Sequence, residues 1–212
     1  MKKYIALEGP IGVGKSSLAC KLAEKFGVDP ILEEVGENPF LESFYDNREA
    51  NAFQTQLFFL VSRYKQLSRL AQMELFNQAV LVDYIMERDM IFAQLNLDDH
   101  EFRLYLEVYK QLVKSVPEPD LTVYLQADTA TLMRRVHRRS RRVEQAMTED
   151  YVDRVNQAFN QYFFRHCTGP LLIVNTNNID FVNNQQDFET LVAKLEGDIQ
   201  GREYFNPPGS VF

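Results

Sequence analysis

The sequence predicts a three-layer α/β/α fold with a central sheet of five parallel strands. Along the 212 residues, short apolar runs alternate with longer segments of helical periodicity, and this alternation favours a parallel sheet covered by helices on both faces. A glycine-rich loop joins the first predicted strand to the first predicted helix. The predicted strands are residues 4–8, 30–33, 79–83, 121–126 and 171–175.

The helices are predicted from apolar residues that recur every three or four positions. The helix over about 50–77 is long for a compact domain, in which helices average about 11–12 residues. Its broad apolar stripe fits a core helix and a helical dimer interface equally well. Asp98 or Asp99 and Thr148 are expected as N-caps. The predicted helices are 17–26, about 50–77, about 98–115, about 129–139, about 148–166 and about 185–197.

Composition and charge predict one globular domain over residues 1–212 and argue against some partners. The net charge of −7 disfavours general binding to nucleic acid duplexes, which requires a positive field. No stretch approaches the ~18 apolar residues of a membrane span, so no membrane partner is expected. Cys20 and Cys167 lie far apart, and Cys20 is predicted to be a small buried residue of the first helix. Without a signal peptide or an expected disulfide, a cytoplasmic protein is predicted.

The loop after the first strand carries the strongest functional motif. Gly9-Pro-Ile-Gly-Val-Gly-Lys-Ser16 fits G-x-x-x-x-G-K-[ST], the phosphate-binding loop (P-loop), between a strand and a helix. Its glycines allow backbone N–H groups to surround a polyphosphate at the positive end of the helix. Lys15 is expected at the β- and γ-phosphates and the Ser16 hydroxyl at Mg²⁺. The expected ATP-binding residues are Gly9, Pro10, Ile11, Gly12, Val13, Gly14, Lys15, Ser16 and Ser17.

Carboxylates end the second and third predicted strands. The carboxyl ends of parallel strands form the ligand crevice of an α/β sheet, so these acids are expected to face the phosphate-binding loop. Glu33 or Glu34 can orient a substrate hydroxyl that attacks the γ-phosphate and can accept its proton. Asp83 is expected to support Mg²⁺ together with Ser16. Exposed loop acids and a strand-capping Asp are the simpler interpretations of the same residues.

Six arginines fall within residues 134–142 of this acidic chain. A solvated helix face is the usual explanation of such a basic run. A lid that closes over a triphosphate also needs several guanidinium groups, because negative charge develops during phosphoryl transfer. The sequence therefore predicts a lid over about 134–145, and nucleic-acid binding by this cluster is the less favoured interpretation.

These stretches together resemble the deoxyribonucleoside kinase family, especially its bacterial deoxyadenosine and deoxyguanosine kinases. The resemblance spans nearly the whole chain. It depends on the phosphate-binding loop, on residues 33–45, on Phe53-Gln-Thr-Gln56 and on the arginine lid ending at Glu144-Gln145. The loop alone is common to many nucleotide-binding proteins, whereas residues 33–45 and their spacing to the Phe-Gln-Thr are much more specific. The resemblance implies a P-loop fold of the nucleoside-kinase type.

The same resemblance implies a role for individual residues. Glu33 matches the family's catalytic base, with Glu34 as the alternative if the register is shifted by one. The other implied roles are Gln54 at the nucleobase edge, Tyr45 and Glu144 at the sugar 3′-hydroxyl, and the lid arginines Arg135, Arg139 and Arg141 at the donor phosphates. Such a pocket would present the 5′-hydroxyl in line with the γ-phosphate.

One position departs from the family pattern. The family has an acidic residue followed by Arg and Ser after the third strand, whereas this chain has Asp83-Tyr84. The family's arginine helps to hold the catalytic base, so Arg63 and Arg88 are the candidates to supply the missing positive charge near Glu33. Arg88 and Asp83 are also expected among the substrate-binding residues. Val61, two turns beyond Gln54, matches the position at which the family selects among bases, and its apolar side chain favours a purine.

The predicted function is Mg²⁺-dependent transfer of a phosphoryl group from ATP to the 5′-hydroxyl of a deoxynucleoside, with a purine preferred. The resemblance also implies a homodimer formed through helices. Two alternatives stay open. A nucleoside monophosphate kinase such as thymidylate kinase would use Arg48 and Arg63 for the acceptor phosphate. A nucleotide-binding regulatory protein without catalysis would explain the missing arginine.

Overall fold

The computed structural model describes residues 3–70, 79–139 and 147–206. Within them, every strand pair of the sheet is parallel, as predicted. The strands are β1 (Tyr4–Glu8), β2 (Pro30–Ile31), β3 (Val80–Val82), β4 (Leu121–Gln126), β5 (Leu171–Asn175) and β6 (Arg202–Phe205). Their order in the sheet is β2-β3-β1-β4-β5-β6. The three-layer α/β fold is therefore confirmed, but the sheet has six strands rather than five.

The additional strand lies in the segment that was predicted to be a C-terminal tail over about 200–212. β6 extends the sheet beyond β5, with Leu171 opposite Arg202 and Ile173 opposite Tyr204. Its sequence, Arg-Glu-Tyr-Phe, contains no long apolar run, and its residues alternate between exposed and half-buried positions at the sheet edge. Such a strand has no apolar run from which the sequence could predict it. Residues 207–212 of the predicted tail lie outside the described residues.

The predicted helices are confirmed in type, and two more are present. The helices of the described residues are α1 (Lys15–Phe26), α2 (Leu41–Asp46), α3 (Arg48–Leu67), α4 (Glu87–Asn96), α5 (Asp99–Leu112), α6 (Thr129–Arg139), α7 (Glu149–Arg165) and α8 (Gln185–Glu196). Asp98 caps α5 by accepting hydrogen bonds from the N–H groups of His100 and Glu101, and Thr148 caps α7. α2 and α4 were not predicted because six and ten residues contain too few apolar repeats.

The helix α3 is shorter than predicted. It begins after Asn47, whose side chain accepts a hydrogen bond from the Ala50 N–H, and it ends at Leu67. The prediction extended to residue 77 because apolar residues continue at helical spacing beyond the turn at 68–69. Residues 71–77 lie outside the described residues. Neither α3 nor any other helix in the described ranges is long and apolar enough to cross a membrane.

The hydrophobic core is divided between the two faces of the sheet, because alternate residues of a strand point in opposite directions. On one face, Ala6 and Val82 pack with residues of α3, α4, α5 and α7. On the other face, Leu7 and Val123 pack with residues of α1, α6 and α8. The sheet is thus covered on both sides, and the carboxyl ends of its strands remain at one edge, where the candidate site lies.

The prediction that Cys20 is buried was wrong. The buried stripe of α1 consists of Leu18, Ala19, Leu22 and Ala23. Cys20 follows this stripe by one residue, or about 100° around the helix, and its side chain is exposed. Both cysteines of the chain are free thiols in this structure, in agreement with the expectation that they do not form a disulfide.

Candidate active site

The phosphate-binding loop connects β1 to α1 and passes close to α6. Gly12 has a φ of 85°, and a Cβ atom at this position would lie 2.8 Å from the backbone oxygen of Leu132 in α6. Gly14 is the N-cap of α1, with a φ of 105°. Glycine is required at both positions, because other residues rarely adopt this conformation. The loop therefore leads directly into a helix N-terminus, whose backbone N–H groups and dipole favour an anion.

Lys15, the first residue of α1, is held inside the loop. Its Nζ donates hydrogen bonds to the carbonyl oxygens of Gly9 at 2.8 Å and Pro10 at 3.1 Å, and the residue is only 8% exposed. Burial, followed by the nearby charge of Arg88, lowers the pKa of Lys15 to about 8. A polyphosphate bound at this loop would bring negative charge to Lys15 and favour its ammonium form.

Ser16 and Asp83 meet where the phosphate-binding loop approaches the end of β3. The Ser16 hydroxyl donates a hydrogen bond to Asp83 Oδ2 at 2.5 Å, and the backbone N–H of Glu33 donates to Asp83 Oδ1 at 2.7 Å. A hydroxyl and a carboxylate are the oxygen ligands that Mg²⁺ accepts, with phosphates and waters completing its shell. The described residues hold no cluster of three or more His, Cys, Asp or Glu side chains that could hold a metal ion. These residues fit Mg²⁺.

The Glu33 carboxylate lies between two buried guanidinium groups. Arg63 of α3 donates hydrogen bonds both to Glu33 and to Asp89, and Arg88 Nε of α4 lies 3.6 Å from Glu33 Oε2. The Glu33 side chain is 11% exposed. Burial alone would raise the pKa of Glu33, but the charges of Arg63 and Arg88 outweigh it and lower the pKa to about 2. Glu33 is therefore ionised at neutral pH.

Tyr84 occupies the position where the family pattern has an arginine. Its side chain is fully buried, and its hydroxyl donates a hydrogen bond to the Gln66 side chain of α3. Tyr84 carries no cation toward Glu33. Both candidates for the missing charge, Arg63 and Arg88, instead reach Glu33 from neighbouring helices.

A cleft opens beside Glu33. Its walls include the predicted residues Ile11, Gly12, Lys15, Ser16, Glu33, Tyr45, Arg88 and Arg139. Gln56 of α3 also lines the cleft and is 3% exposed. Among the described residues, none forms a hydrogen bond with the Gln56 carboxamide. The cleft thus combines apolar aromatic walls, including Phe59 and Phe92, with a few polar groups, as small-molecule sites do.

Two predicted residues of α3 are not in this cleft. The Gln54 side chain donates hydrogen bonds to the Ala50 carbonyl and to Asn51 Oδ1, one turn earlier on its own helix. Val61 lines a separate cleft beside β2. The assignment of Gln54 to the cleft is therefore wrong in position, and the carboxamide in the cleft belongs to Gln56. The purine argument that depended on Val61 loses its geometric basis.

The arginines of α6 lie on the other side of the phosphate-binding loop. They line a second cleft with Gly14, Ser17 and the segment 176–184 after β5. Arg135 donates hydrogen bonds to the Thr176 carbonyl at 2.6 Å and hydroxyl at 2.9 Å, and Arg139 lines both clefts. Arg141, Glu144 and the rest of the predicted lid over residues 140–145 lie outside the described residues.

The spacing of polar and aromatic residues within α3 indicates which side of this helix faces the cleft. Gln56, Phe59 and Arg63 are separated by three and four positions, so they share one helix face. Gln54 lies two positions from Gln56, on a different side of the helix. Of the two glutamines in Phe53-Gln-Thr-Gln56, the one in register with a buried arginine therefore faces the cleft. Glu8, which contacts Arg88, was also missed, because it ends an apolar strand that has no other polar residue.

Comparison with known proteins agrees with this geometry. Residues 5–200 match the family model described as deoxynucleoside kinase. The chain belongs to the deoxynucleoside kinase family. It is therefore a phosphotransferase of the class that phosphorylates deoxynucleosides, as the resemblance implied.

The alignments with individual relatives extend over almost the whole length of this kinase. A deoxyguanosine kinase of Bacillus subtilis is 36% identical over 198 residues, which are 91% of this chain and 96% of the relative. A deoxyadenosine/deoxycytidine kinase of the same organism is 27% identical, with 94% of each chain covered. The structure of a deoxyadenosine kinase from M. mycoides with bound dATP has a TM-score of 0.78 at 24% identity, over 91% of this chain and 98% of the other. That structural likeness supports the fold of this kinase.

Proposed function

We propose that this kinase transfers the γ-phosphoryl group of ATP, with Mg²⁺, to the 5′-hydroxyl of a deoxynucleoside, with purines preferred. The observation that carries the proposal is the position of Glu33. Its carboxylate lines the same cleft as Lys15 and Ser16 of the phosphate-binding loop. A hydroxyl bound in this cleft can therefore contact Glu33 and face a phosphate held by the loop.

Glu33 orients the attacking hydroxyl and receives its proton. A carboxylate with a pKa of about 2 is a weak base before reaction. Phosphoryl transfer passes through a loose transition state in most analyses, so the hydroxyl becomes acidic late, when its bond to phosphorus is forming. The main contribution of Glu33 is then to hold the hydroxyl in line as a hydrogen-bond acceptor, and the proton moves to it as the bond forms.

The donor phosphates are held by the phosphate-binding loop and by arginines of α6. Lys15 and the backbone N–H groups at the start of α1 neutralise the β- and γ-phosphates. Ser16 and Asp83 would hold Mg²⁺, which would offset negative charge on the phosphates. Arg139 lies where both clefts meet and can reach the transferred group. Arg135 acts on the donor side, and Arg141 stays a predicted lid residue.

The acceptor is recognised by α2 and α3. Gln56 presents an amide donor and an amide acceptor to the edge of the base, which suits hydrogen bonding to a purine. Tyr45 lines the cleft and is assigned to the sugar, together with the predicted Glu144. The preference for purines is supported by the relatives named deoxyguanosine and deoxyadenosine kinases, although one of them is also named for deoxycytidine.

The contacts of the described residues favour neither alternative function. A nucleoside monophosphate kinase would require Arg48 and Arg63 for the acceptor phosphate. Arg63 already contacts Glu33 and Asp89, and the Arg48 guanidinium lies 3.8 Å from the centre of the Tyr151 ring. A regulatory protein without catalysis was favoured by the missing arginine. That support is lost, because two other guanidinium groups reach Glu33.

We extend the proposal to a homodimer, formed through α3 and α5, in the cytoplasm. α5 exposes 57% of Leu104, and α3 leaves Leu57 and Tyr64 only partly buried. A second copy would cover these apolar residues. Light scattering after size exclusion should give twice the 24.7 kDa of one chain, and Leu104→Glu should shift the protein toward monomer. A monomeric wild-type protein at micromolar concentration would contradict the dimer.

The acceptor is tested by offering deoxynucleosides and their 5′-monophosphates side by side with γ-labelled ATP and Mg²⁺. Label should pass to deoxyguanosine and deoxyadenosine, faster than to the pyrimidine deoxynucleosides, and the product should be the 5′-monophosphate. Transfer only to monophosphates would support a monophosphate kinase. ATP binding without transfer to any acceptor would support the regulatory alternative.

A further inference from the structure

Glu8 is a fully buried carboxylate at the end of β1, outside the residues assigned to substrate or metal. Its Oε1 accepts hydrogen bonds from the Gly9 N–H at 2.9 Å and from Arg88 Nη1 at 2.5 Å. Its Oε2 accepts one from the Ile85 N–H at 3.0 Å. Burial of a carboxylate is costly unless it is paired and hydrogen-bonded, and here three donors compensate for it.

The donors around Glu8 match a carboxylate and no other side chain of this length. Both oxygens face N–H groups, and an ionised carboxylate is the side chain that only accepts hydrogen bonds. A glutamine would direct its NH₂ group at a backbone N–H or at the Arg88 guanidinium. One buried donor would then be left without an acceptor. An aspartate is one methylene shorter and could not reach all three donors.

The three donors belong to the segments that carry the proposed catalytic groups. Gly9 is the first residue of the phosphate-binding loop, and Ile85 is two residues beyond Asp83. Arg88 Nη1 also donates to the Gly9 carbonyl at 3.2 Å, and Arg88 Nε faces Glu33. Through the Arg88 guanidinium group, Glu8 thus links the phosphate-binding loop to Glu33.

We propose that Glu8 is a positioning residue for phosphoryl transfer, acting through Arg88 to hold Glu33 in register with the phosphate-binding loop. The inference rests on the proposed function, because it concerns the distance between the attacking hydroxyl and the transferred phosphoryl group. In-line transfer depends steeply on that distance, and a displacement of about 1 Å can reduce the rate about 100-fold. Glu8 therefore affects kcat more than substrate binding.

A double-mutant cycle on kcat tests this inference, with the variants Glu8→Gln, Arg88→Met and the two combined. Each single variant should lower kcat on the order of 10- to 100-fold. The KM for the deoxynucleoside should change less than about threefold in Glu8→Gln, since Glu8 does not line the cleft. The double variant should lose at least about tenfold less activity than the product of the single losses, because the two residues act as a unit.

Two controls separate positioning from a loss of stability. Val192→Ala in α8 removes two methyl groups from the core on the other face of the sheet and should leave kcat unchanged despite a lower melting temperature. If Glu8→Gln does not fold, Glu8→Asp takes its place in the cycle, with the same coupling expected. Multiplicative losses in the double variant, or wild-type kcat in a folded Glu8 variant, would overturn the inference. An inactive wild-type enzyme would instead overturn the proposed function.

Discussion

At the scale of single residues, the site depends on charges that are buried next to one another. Glu33 stays ionised because Arg63 and Arg88 compensate for its burial. Asp89 shares Arg63 with Glu33, and burial raises the pKa of Asp89 to about 7 despite the nearby guanidinium. The two carboxylates that contact Arg63 thus differ in ionisation: Glu33, whose side chain is 11% exposed, keeps its charge, whereas the fully buried Asp89 holds a proton more readily.

Gln56 provides a residue-level test of acceptor recognition. Gln56→Ala removes about two hydrogen bonds to the base, so the KM for the preferred deoxynucleoside should rise about 10- to 100-fold. Gln54→Ala is the matched control, because the Gln54 side chain is bonded to its own helix. Its KM should stay within about threefold of wild type. Steady-state kinetics that gave the reverse order would show that the cleft-facing glutamine has been misassigned.

At the scale of elements, the site forms where β1, β2 and β3 end at the same edge of the sheet. The ends of the strands bring the phosphate-binding loop, Glu33 and Asp83 together, as their position after apolar runs predicted. Periodicity also predicted α5 and α7 with their N-caps. Apolar periodicity alone does not identify the face of α3 that forms the cleft. That face also carries the polar residues Gln56 and Arg63, and Arg63 contacts Glu33 and Asp89, which are distant in the sequence.

Gly12 tests the close packing of the phosphate-binding loop on α6. Gly12→Ala would place a Cβ atom against the Leu132 backbone oxygen. It would also require a positive φ, which alanine rarely adopts. We expect the loop to shift and ATP affinity, measured by calorimetric titration, to fall at least about tenfold. Gly169→Ala is the control, since an added Cβ at that glycine meets no atom within 4 Å. Equal ATP affinities in the two variants would contradict this account of the loop.

At the scale of the whole molecule, the sheet buries a cluster of charges between its edge and the helices α3 and α4. The cluster contains the carboxylates Glu8, Glu33, Asp83 and Asp89 and the cations Lys15, Arg63 and Arg88. Buried ion pairs contribute little net stability, but removing one partner is costly. Each of these charged residues is visible in the sequence, but their proximity depends on the order of the strands in the sheet. No local sequence pattern specifies that order.

The ionisation of Asp89 predicts how stability changes with pH. Its pKa is about 7 in the folded protein and about 3.8 in the unfolded chain, so the folded protein binds this proton more tightly. The resulting stability is complete below about pH 4 and is lost as pH rises through 7. In urea unfolding, the stability of Asp89→Asn relative to wild type should therefore increase as pH rises from 4 to 8, because only the wild type loses the stability of the bound proton. A difference that is independent of pH would contradict this ionisation.

The most direct measurement is single-turnover transfer from ATP to deoxyguanosine by wild type, Glu33→Gln and Glu34→Gln. If Glu33 orients the hydroxyl and receives its proton, Glu33→Gln should slow transfer by about 10²- to 10⁴-fold while ATP affinity stays within about threefold. Glu34→Gln, which changes an exposed neighbour, should transfer at nearly the wild-type rate. Wild-type transfer by Glu33→Gln would contradict the proposed mechanism.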